Sequence, residues 1–536
     1  MAIKYPELFT PFTVGSVEIK NRVVLTSMAI NGRIDKNGNL TDESIAYYEE
    51  RAKGGVGLII THSYTPEPNI EANLRSESPF DIPGYFVTQG VKLVEKCHAY
   101  GAKVFFDVFL GMGRNIFPTA MEGDPVSASA VPNRWNPEMK CKELTEEQIE
   151  DHIKAVVQAV AMCQMAGADG ICIDGAYGGY LADQFATDST NHRTDKYGGD
   201  LDGKLRMATE VIKGIKEVCG DRFPVMVRLA AKHHAKGFGQ GAIDGEEYEE
   251  FGRDIPESIL VAKKLEEAGA DAFLAASGNY DSFYWLYPPM YQKEGLWIDD
   301  VAPITAAVDI PVVCPGRINQ PSMANQAIKD GKIDAVAIGR QLLADPHWAN
   351  KAHAGADEEI RPCIGCNNGC VGRVFSGKTI TCAVNAEAFV VPGEETKPSD
   401  VSKKVLVVGG GIAGMEAARV AAIRGHRVKL YDKASQLGGV LVAAAVPEIK
   451  DEDRRYIQWY RNQMKKEGVE VHLNTEVTLD MLKNCDADEI VISTGATPKI
   501  PPIPGVKGDN VITAVDALLH PEKLGDKVAV IGGGQV

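Results

Sequence analysis

The chain has 536 residues, is 44% hydrophobic and 24% charged, and carries a formal charge of −16. That length predicts two to four domains with ample core, and the composition is that of a globular protein. The acidic balance excludes a nucleic-acid partner, because a phosphate backbone demands a basic surface. It leaves room for an anionic substrate held by a few local arginines. No apolar run reaches the length of about 18 residues that would span a membrane. The opening stretch MAIKYPELFTPF lacks the apolar core of a secretory signal. Cys97, Cys141, Cys163, Cys172, Cys219, Cys314 and Cys485 stand singly, as ordinary core or surface thiols do. Cys363, Cys366, Cys370 and Cys382 cluster, as a metal site in a reducing compartment would, so the expected location is the cytoplasm.

In chain order, short apolar β-branched runs alternate with amphipathic segments. The strand candidates are Val23–Thr26, Val56–Ile60, Lys103–Val108, Asp169–Ile173, Pro224–Leu229, Asp271–Ala275, Ile310–Cys314 and Asp334–Ile338. Thr145 with Gln148 three residues on is a capping-box pattern and predicts a helix start. Another helix is predicted over Glu257–Ala268, with Ile259, Leu260, Ala262, Leu265 and Ala268 for its inner face. Near-continuous apolar strands alternating with helices indicate a parallel sheet. Eight such pairs indicate an α/β fold of the closed (β/α)8 barrel type, with its active site at the C-terminal strand ends.

The four clustered cysteines are spaced C-x2-C-x3-C-x11-C. A zinc ribbon usually presents two separated C-x2-C knuckles around one ion. A [4Fe-4S] cluster needs four thiolates, and a tight loop of this kind can wrap three of them. The spacing by itself leaves both readings open. A Pro-, Ser- and charge-rich linker follows. Then comes the strand Val405–Val408, the turn Gly409-x-Gly411-x-x-Gly414, a helix, and the acidic Asp432 after the next strand. This is a complete dinucleotide-binding context: the glycines admit a pyrophosphate at a helix N-terminus and Asp432 accepts from a ribose. From Lys527 the pattern begins another strand with a glycine turn at Gly532, so the sequence is expected to be truncated inside a second dinucleotide-binding domain.

In the barrel, Arg228 closes the fifth strand candidate, and Gly316-Arg317 and Gly339-Arg340 close the seventh and eighth. Loops after strands seven and eight of such barrels often bind phosphate, and an Arg beside glycine amides suits that task. Tyr180 follows the fourth strand at the same rim, where a neutral phenol can give a proton to a carbanion.

The stretches LFTPFTVGSVEIKNRVVLTSM (8–28), GYLADQF (179–185), NHRTDKYGG (191–199), GRDIPES (252–258), YDSFYWLYPPMYQKEGL (280–296), IGRQLLADP (338–346) and RPCIGCNNGC (361–370) resemble the Old Yellow Enzyme group. The chain as a whole resembles its larger iron–sulfur members: 2,4-dienoyl-CoA reductase, trimethylamine dehydrogenase and, closest, 2-enoate reductase. The resemblance implies a [4Fe-4S] cluster on Cys363, Cys366, Cys370 and Cys382, which makes structural zinc the lesser alternative. It implies FMN in the barrel, FAD in a Rossmann-like domain, and NADH or NADPH as donor. Electrons would pass from NAD(P)H to FAD, singly through the cluster to FMN, and then to an activated C=C bond. Ser27 and Met28 would border FMN, Arg228 its N1/O2 edge, and Gly316, Arg317, Gly339 and Arg340 its phosphate. Tyr180 matches the proton donor. Gly409, Gly411, Gly414 and Asp432 would hold FAD.

Three positions depart from the pattern. Asp107 stands where the group usually has a Gln on the flavin pyrimidine edge. Asp174 and Tyr177 replace the histidine pair that polarises a substrate carbonyl. Tyr280 stands near a His of the dienoyl-CoA reductases. An ionised Asp174 would repel an enolate, so it is expected to be protonated, turned away or bound to a cationic group of the substrate. The organisation expected is an FMN barrel over residues 1–355, a cluster segment over 356–391, a linker over 392–403, an FAD domain over 404–527 and the start of an NAD(P)H domain over 528–536. The expected partner is a small unsaturated molecule, with no nucleic acid and no membrane, and a homo-oligomer is left open. The rival readings are an amine dehydrogenase of the trimethylamine dehydrogenase type and a non-catalytic scaffold bearing zinc.

Overall fold

Eight short aliphatic runs pair as parallel strands and close on themselves. They are β1 (Val23–Leu25), β2 (Leu58–Tyr64), β3 (Lys103–Val108), β4 (Gly170–Ala176), β5 (Val225–Ala230), β6 (Ala272–Ala276), β7 (Val312–Cys314) and β8 (Ala335–Ile338). Each pairs with the next in sequence, and β8 returns to β1. In this computed structural model the described residues are 3–66, 70, 78–120, 123–390 and 393–533. The chain divides into two units, Met1–Asp357 with Gly365–Pro392, and Glu358–Ile364 with Gly393–Val536.

The barrel interior is filled, as such barrels require. Val24, Leu58, Ile60, Phe105, Cys172, Met226, Leu274 and Val313 pack into one core with Phe12, Val14 and Ile19. Those last residues lie on an antiparallel hairpin, Phe12–Val14 with Val17–Ile19. Gly15 at its tip lies against Asp271, just before β6, so the hairpin caps the N-terminal end. The C-terminal rim therefore carries the open site. The β2–β3 and β4–β5 ladders shift register between Ile60 and Ser63 and between Asp174 and Ala176. Such irregularities re-aim side chains next to active sites.

The helices follow their local signals. Thr145 and Gln148 form the expected reciprocal cap on the helix Glu146–Met165. The helix Ile255–Glu267 buries Ser258, Val261, Ala262 and Leu265. That stripe replaces part of the expected inner face: Leu260 is 55% exposed. Steps of three and four residues from Ser258 reach Val261 and Leu265 and pass over Leu260.

The second unit holds a four-stranded parallel sheet of β9 (Lys404–Val408), β10 (Arg427–Tyr431), β11 (Glu470–His472) and β12 (Glu489–Ile492), in the order β11-β10-β9-β12. The helix Ile412–Ile423 starts directly after the glycine turn. A Cβ on Gly414 would sit 1.8 Å from the Gly409 carbonyl oxygen, so only glycine allows this approach of helix to strand. The strand expected from Lys527 is not formed. Val528, Val530 and Ile531 are exposed, and no ladder pairs with them among the described residues. A strand exists only by its partner's hydrogen bonds. Residues 534–536 of that expected segment lie outside the described residues.

Candidate active site

At the C-terminal rim of the first unit, three consecutive strands each present one buried charged group. Asp107 comes from β3, Asp174 from β4 and Arg228 from β5. Arg228 lies within its strand rather than at its end. Its Nη1 is 3.3 Å from Asp107 Oδ2 and 3.0 Å from Asp174 Oδ1. Ser63, on β2, donates to Asp107 Oδ2 at 2.6 Å, and Ser27 Oγ stands 3.4 Å from Ser63 Oγ. The predicted Ser27, Asp107, Asp174 and Arg228 thus meet in one chain of polar contacts. Ser63, which completes it, carries no sequence signal beyond its place near a strand end.

Burial pushes Asp174 up, Arg228 opposes the rise and Asp107 adds to it, and the result is a carboxyl raised to about 7. One arginine cannot neutralise two carboxylates in a site without water. Asp174 is therefore paired with the Arg228 cation and, near neutral pH, divided between its protonated and ionised forms. This changes stability with pH. A carboxyl raised above its unfolded value of 3.8 favours the folded state fully below that value, and the benefit is lost as pH rises through about 7. Asp174→Asn should flatten the fall in melting temperature expected of the wild type between about pH 4 and about pH 7.

The Tyr177 ring lies under the Arg228 guanidinium, 4.1 Å from Cζ to centroid. Burial, opposed by Arg228, raises its phenol to about 12. Tyr180 caps the helix Leu181–Phe185, and its ring centroid is 5.4 Å from that of Tyr280. The Tyr280 ring also meets that of Tyr287 edge-on, with centroids 6.5 Å apart. Burial first, then the neighbouring hydroxyls, push Tyr180 well above the ordinary phenol value. It holds its proton until a strong base arrives. Around these hydroxyls Phe117, Trp135, Phe283, Tyr287 and Phe375 make edge and stacked contacts at centroid distances of 4.4–6.3 Å. Phe375 comes from the segment between Cys370 and Cys382, a contribution that no local pattern reveals.

Gly316, Arg317, Gly339 and Arg340 lie at the same rim. Gly316 packs on Trp297 and Gly339 on Met28, each so closely that a Cβ would lie 3.0 Å from the neighbour. Arg317 donates to the Pro289 carbonyl at 2.8 Å. Arg340 donates to the Pro288 carbonyl at 2.8 Å and to Asn367 Oδ1. Both guanidinium groups therefore brace the loop over residues 287–297, a task the sequence reading did not foresee. In that loop the Trp297 indole N–H and the Gln292 amide are buried without a protein partner, as is Asp107 Oδ1 on β3. Buried donors and acceptors left open in this way fit a bound polar cofactor. An Asp at position 107 can accept from a flavin N–H as the usual Gln would, although an ionised one cannot donate back.

The cysteine segment is held to the barrel by backbone. Asn367 donates to the Tyr287 carbonyl at 3.0 Å, and Met290 N–H donates to the Gly365 carbonyl at 3.1 Å. Thr381 N–H donates to the Gly369 carbonyl at 2.7 Å, and a Cβ on Gly369 would lie 3.0 Å from Cys382 Cα. This contact draws the stretch carrying Cys370 against Cys382. All four cysteines are half-buried. Among the described residues, no three His, Cys, Asp or Glu side chains converge on one metal-ion position. A cubane takes each of four thiolates at a separate corner, and the glycine-permitted approach leaves room for that arrangement.

In the second unit Asp432 accepts from the Gly410 and Ala434 amides. It sits beside the glycine turn, where a ribose partner belongs.

Residues 7–359 match the model of the NADH:flavin oxidoreductase / NADH oxidase family. Residues 377–480 and 403–536 match that of the pyridine nucleotide-disulphide oxidoreductases. Cinnamate reductase of Clostridium sporogenes is 42% identical over 538 residues, covering 100% of this chain and 81% of that protein. The solved structure of 2-naphthoyl-CoA reductase with 2-naphthoyl-CoA is 30% identical, with a TM-score of 0.87 over 97% of this chain and 79% of the other. Histamine dehydrogenase from Rhizobium sp. 4-9 is 25% identical, with a TM-score of 0.80 over 93% and 70%. The eight-stranded barrel followed by a dinucleotide-type sheet is thus an architecture shared with these solved structures, and the chain belongs to the NADH:flavin oxidoreductase / NADH oxidase family.

Proposed function

We propose that the chain is an NAD(P)H-dependent ene-reductase acting on the activated C=C bond of an aryl-substituted enoate or enone. The observation that carries this reading is the neutral Tyr180 hydroxyl, grouped with Tyr280 and Tyr287 beside the Arg228–Asp174 pair. The similarity to cinnamate reductase supports the substrate class. FMN, FAD and a [4Fe-4S] cluster would supply hydride and single-electron chemistry when bound. The chain's own residues do the rest. The aromatic rings of Trp135, Phe283 and Phe375 stack against the aryl group and exclude water. Asp174, when protonated, and Tyr177 donate hydrogen bonds to the substrate carbonyl oxygen, as a neutral carboxylic acid kept in an apolar site can do. Once hydride has added to the β-carbon, the Tyr180 O–H bond breaks, a C–H bond forms at the α-carbon, and the phenolate takes a proton back from water through the neighbouring hydroxyls.

The ligand sets follow the family pattern. Ser27, Met28, Asp107, Arg228 and the turns at Gly316–Arg317 and Gly339–Arg340 serve FMN. Gly409, Gly411, Gly414 and Asp432 serve FAD. Cys363, Cys366, Cys370 and Cys382 serve the cluster. We assign residues 1–355, 356–391 and 404–527 to these three groups, 392–403 to a linker and 528–536 to the start of a nicotinamide domain. We place the enzyme in the cytoplasm, where thiols stay reduced.

The same aromatic rings would also suit a cationic amine, and histamine dehydrogenase shares the fold. Against that reading, Asp174 is already engaged by Arg228 and only partly ionised near neutral pH, so it offers an ammonium little charge. The test is anaerobic: protein reduced with NADH is mixed with cinnamate, an enone or histamine, and flavin absorbance is followed. Reoxidation by cinnamate is expected. Reduction of the oxidised protein by histamine, with no reoxidation by either alkene, would overturn the proposal.

A further inference from the structure

The tyrosine that gives the proton sits on an unusual turn. Gly178 and Gly179, just before it, have φ of +68° and +76°, in the left-handed region that favours glycine. A Cβ on Gly178 would press on the Tyr180 ring at 3.2 Å. Such a turn does not hold itself, and both backbone groups of Gly179 are taken by side chains. Its N–H donates to Asp183 Oδ2 at 2.7 Å. Its carbonyl accepts from Gln184 Nε2 at 2.7 Å and from the Asn115 amide. Asp183 and Gln184 lie one turn on, in the helix Leu181–Phe185.

Asp183 is wholly buried and is fixed from two more sides. Arg253 Nη1 donates to its Oδ1 at 2.8 Å, and His233 Nε2 stands 3.1 Å from Oδ2. Arg253 N–H donates to His233 Nδ1 at 3.0 Å, which places the imidazole proton on Nε2, toward the carboxylate. The remaining donors of Arg253 reach the Ala176 carbonyl at 2.9 Å, the Ala230 carbonyl at 3.2 Å and Ser258 Oγ at 3.0 Å. Ala176 and Ala230 end β4 and β5, the strands that carry Asp174 and Arg228. One buried guanidinium therefore ties together the ends of the strands bearing Asp174 and Arg228 and the carboxylate holding the tyrosine turn. Burial alone would raise Asp183, but His233 and Arg253 outweigh it and hold the carboxyl well below the usual range, so the clamp stays charged.

We propose that Asp183, braced by Arg253 and His233, is a positioning residue that aims Tyr180 at one face of the substrate through the Gly179 amide. It rests on the reading of Tyr180 as proton donor. Both Asp183 oxygens face protein groups: Oδ2 meets the Gly179 N–H and His233, and Oδ1 meets Arg253. Asparagine in its place keeps an acceptor for Gly179 but loses the charge that Arg253 and His233 grip, so the turn loosens. Misplacing a reacting group by about 1 Å costs on the order of 10²-fold in rate, and solvent can then protonate the α-carbon from either face.

The experiment is reduction of (E)-cinnamate in D2O by the holoenzyme. Both carbons take deuterium, and the coupling constants of the product distinguish its two diastereomers. Wild type is expected to give one. Tyr180→Phe should give both if it is the donor. Asp183→Asn should also give both, with a fall in kcat of about 10²-fold for cinnamate that exceeds its fall for ferricyanide, an acceptor needing no proton at carbon. Gly179→Ala strains the same turn, keeps the buried ion pair, and reports the same outcomes if Asp183→Asn does not fold. A mixed product from Tyr180→Phe with a single diastereomer from Asp183→Asn or Gly179→Ala would overturn the positioning role alone. So would equal losses on both acceptors, which mark a purely structural defect. A single diastereomer from Tyr180→Phe would overturn the donor reading itself.

Discussion

Tyr180→Phe is expected to slow reoxidation of the reduced enzyme by cinnamate by about 10²–10⁴-fold, the usual worth of a placed general acid. The loss should fall on kcat with little change in KM, because the phenol acts on charge that develops only after hydride addition. Stopped-flow absorbance of the anaerobic, NADH-reduced enzyme measures it. Ferricyanide reduction by the same variant should fall far less. Tyr280 packs against both Tyr180 and Tyr287, and their hydroxyls can carry part of the proton traffic. Tyr280→Phe should therefore cost less than Tyr180→Phe. If Tyr180→Phe turned over cinnamate at the wild-type rate, the proton would come from elsewhere.

The second large effect is on the fold. Arg228→Met removes the cation that stands between Asp107 and Asp174, whose side chains are 0% and 1% exposed. Breaking a buried pair by deleting one partner costs about 3–5 kcal/mol, because the other charge remains out of water. Asp174, already raised to about 7 through burial, escapes part of that cost by taking a proton. Among the described residues, the Asp107 carboxylate has only the Ser63 hydroxyl left as a donor. The barrel transition in urea should therefore move to lower denaturant, and more so at alkaline than at neutral pH. The triple variant Arg228→Met, Asp107→Asn, Asp174→Asn should recover much of the loss, since it leaves no buried charge unpaired. Purified Arg228→Met should also retain less FMN, read as the ratio of flavin to protein absorbance. An unchanged transition would mean that water reaches the two carboxylates.

The barrel was legible in the sequence because parallel strands buried on both faces read as unbroken apolar runs. All eight runs became strands. Their ends were less legible: β2 runs on to Tyr64 and β4 to Ala176, past the predicted Ile60 and Ile173. There the polar Ser63 and Asp174 interrupt the apolar pattern while backbone pairing continues. The segment after Lys527 shows the opposite failure. Its apolar pattern is that of a strand, but pattern cannot supply the neighbouring ladder that makes one. Likewise Leu260 was placed inward because it is apolar, whereas the helix's angular step decides which face it shares.

At the site, residue types and local spacings were readable: Tyr180 within GGYLADQF, the glycine–arginine pairs, the fingerprint at Gly409, and four cysteines at C-x2-C-x3-C-x11-C. These are properties of a few consecutive residues, and the backbone conformations they require are local. What they become depends on partners far away in the chain. Arg228 meets Asp107 across 121 positions and Arg253 meets Asp183 across 70. Arg317 and Arg340, read as phosphate ligands, also brace a proline-rich loop. The sequence alone determined a flavin-type barrel, a dinucleotide fold and a cysteine-rich segment. Only the tertiary structure decided that Asp174 is paired with Arg228 and raised to about 7, and that Asp183 grips the tyrosine turn. Desolvation and pairing energies depend on which side chains share a water-free space, and strand neighbours, not sequence neighbours, set that.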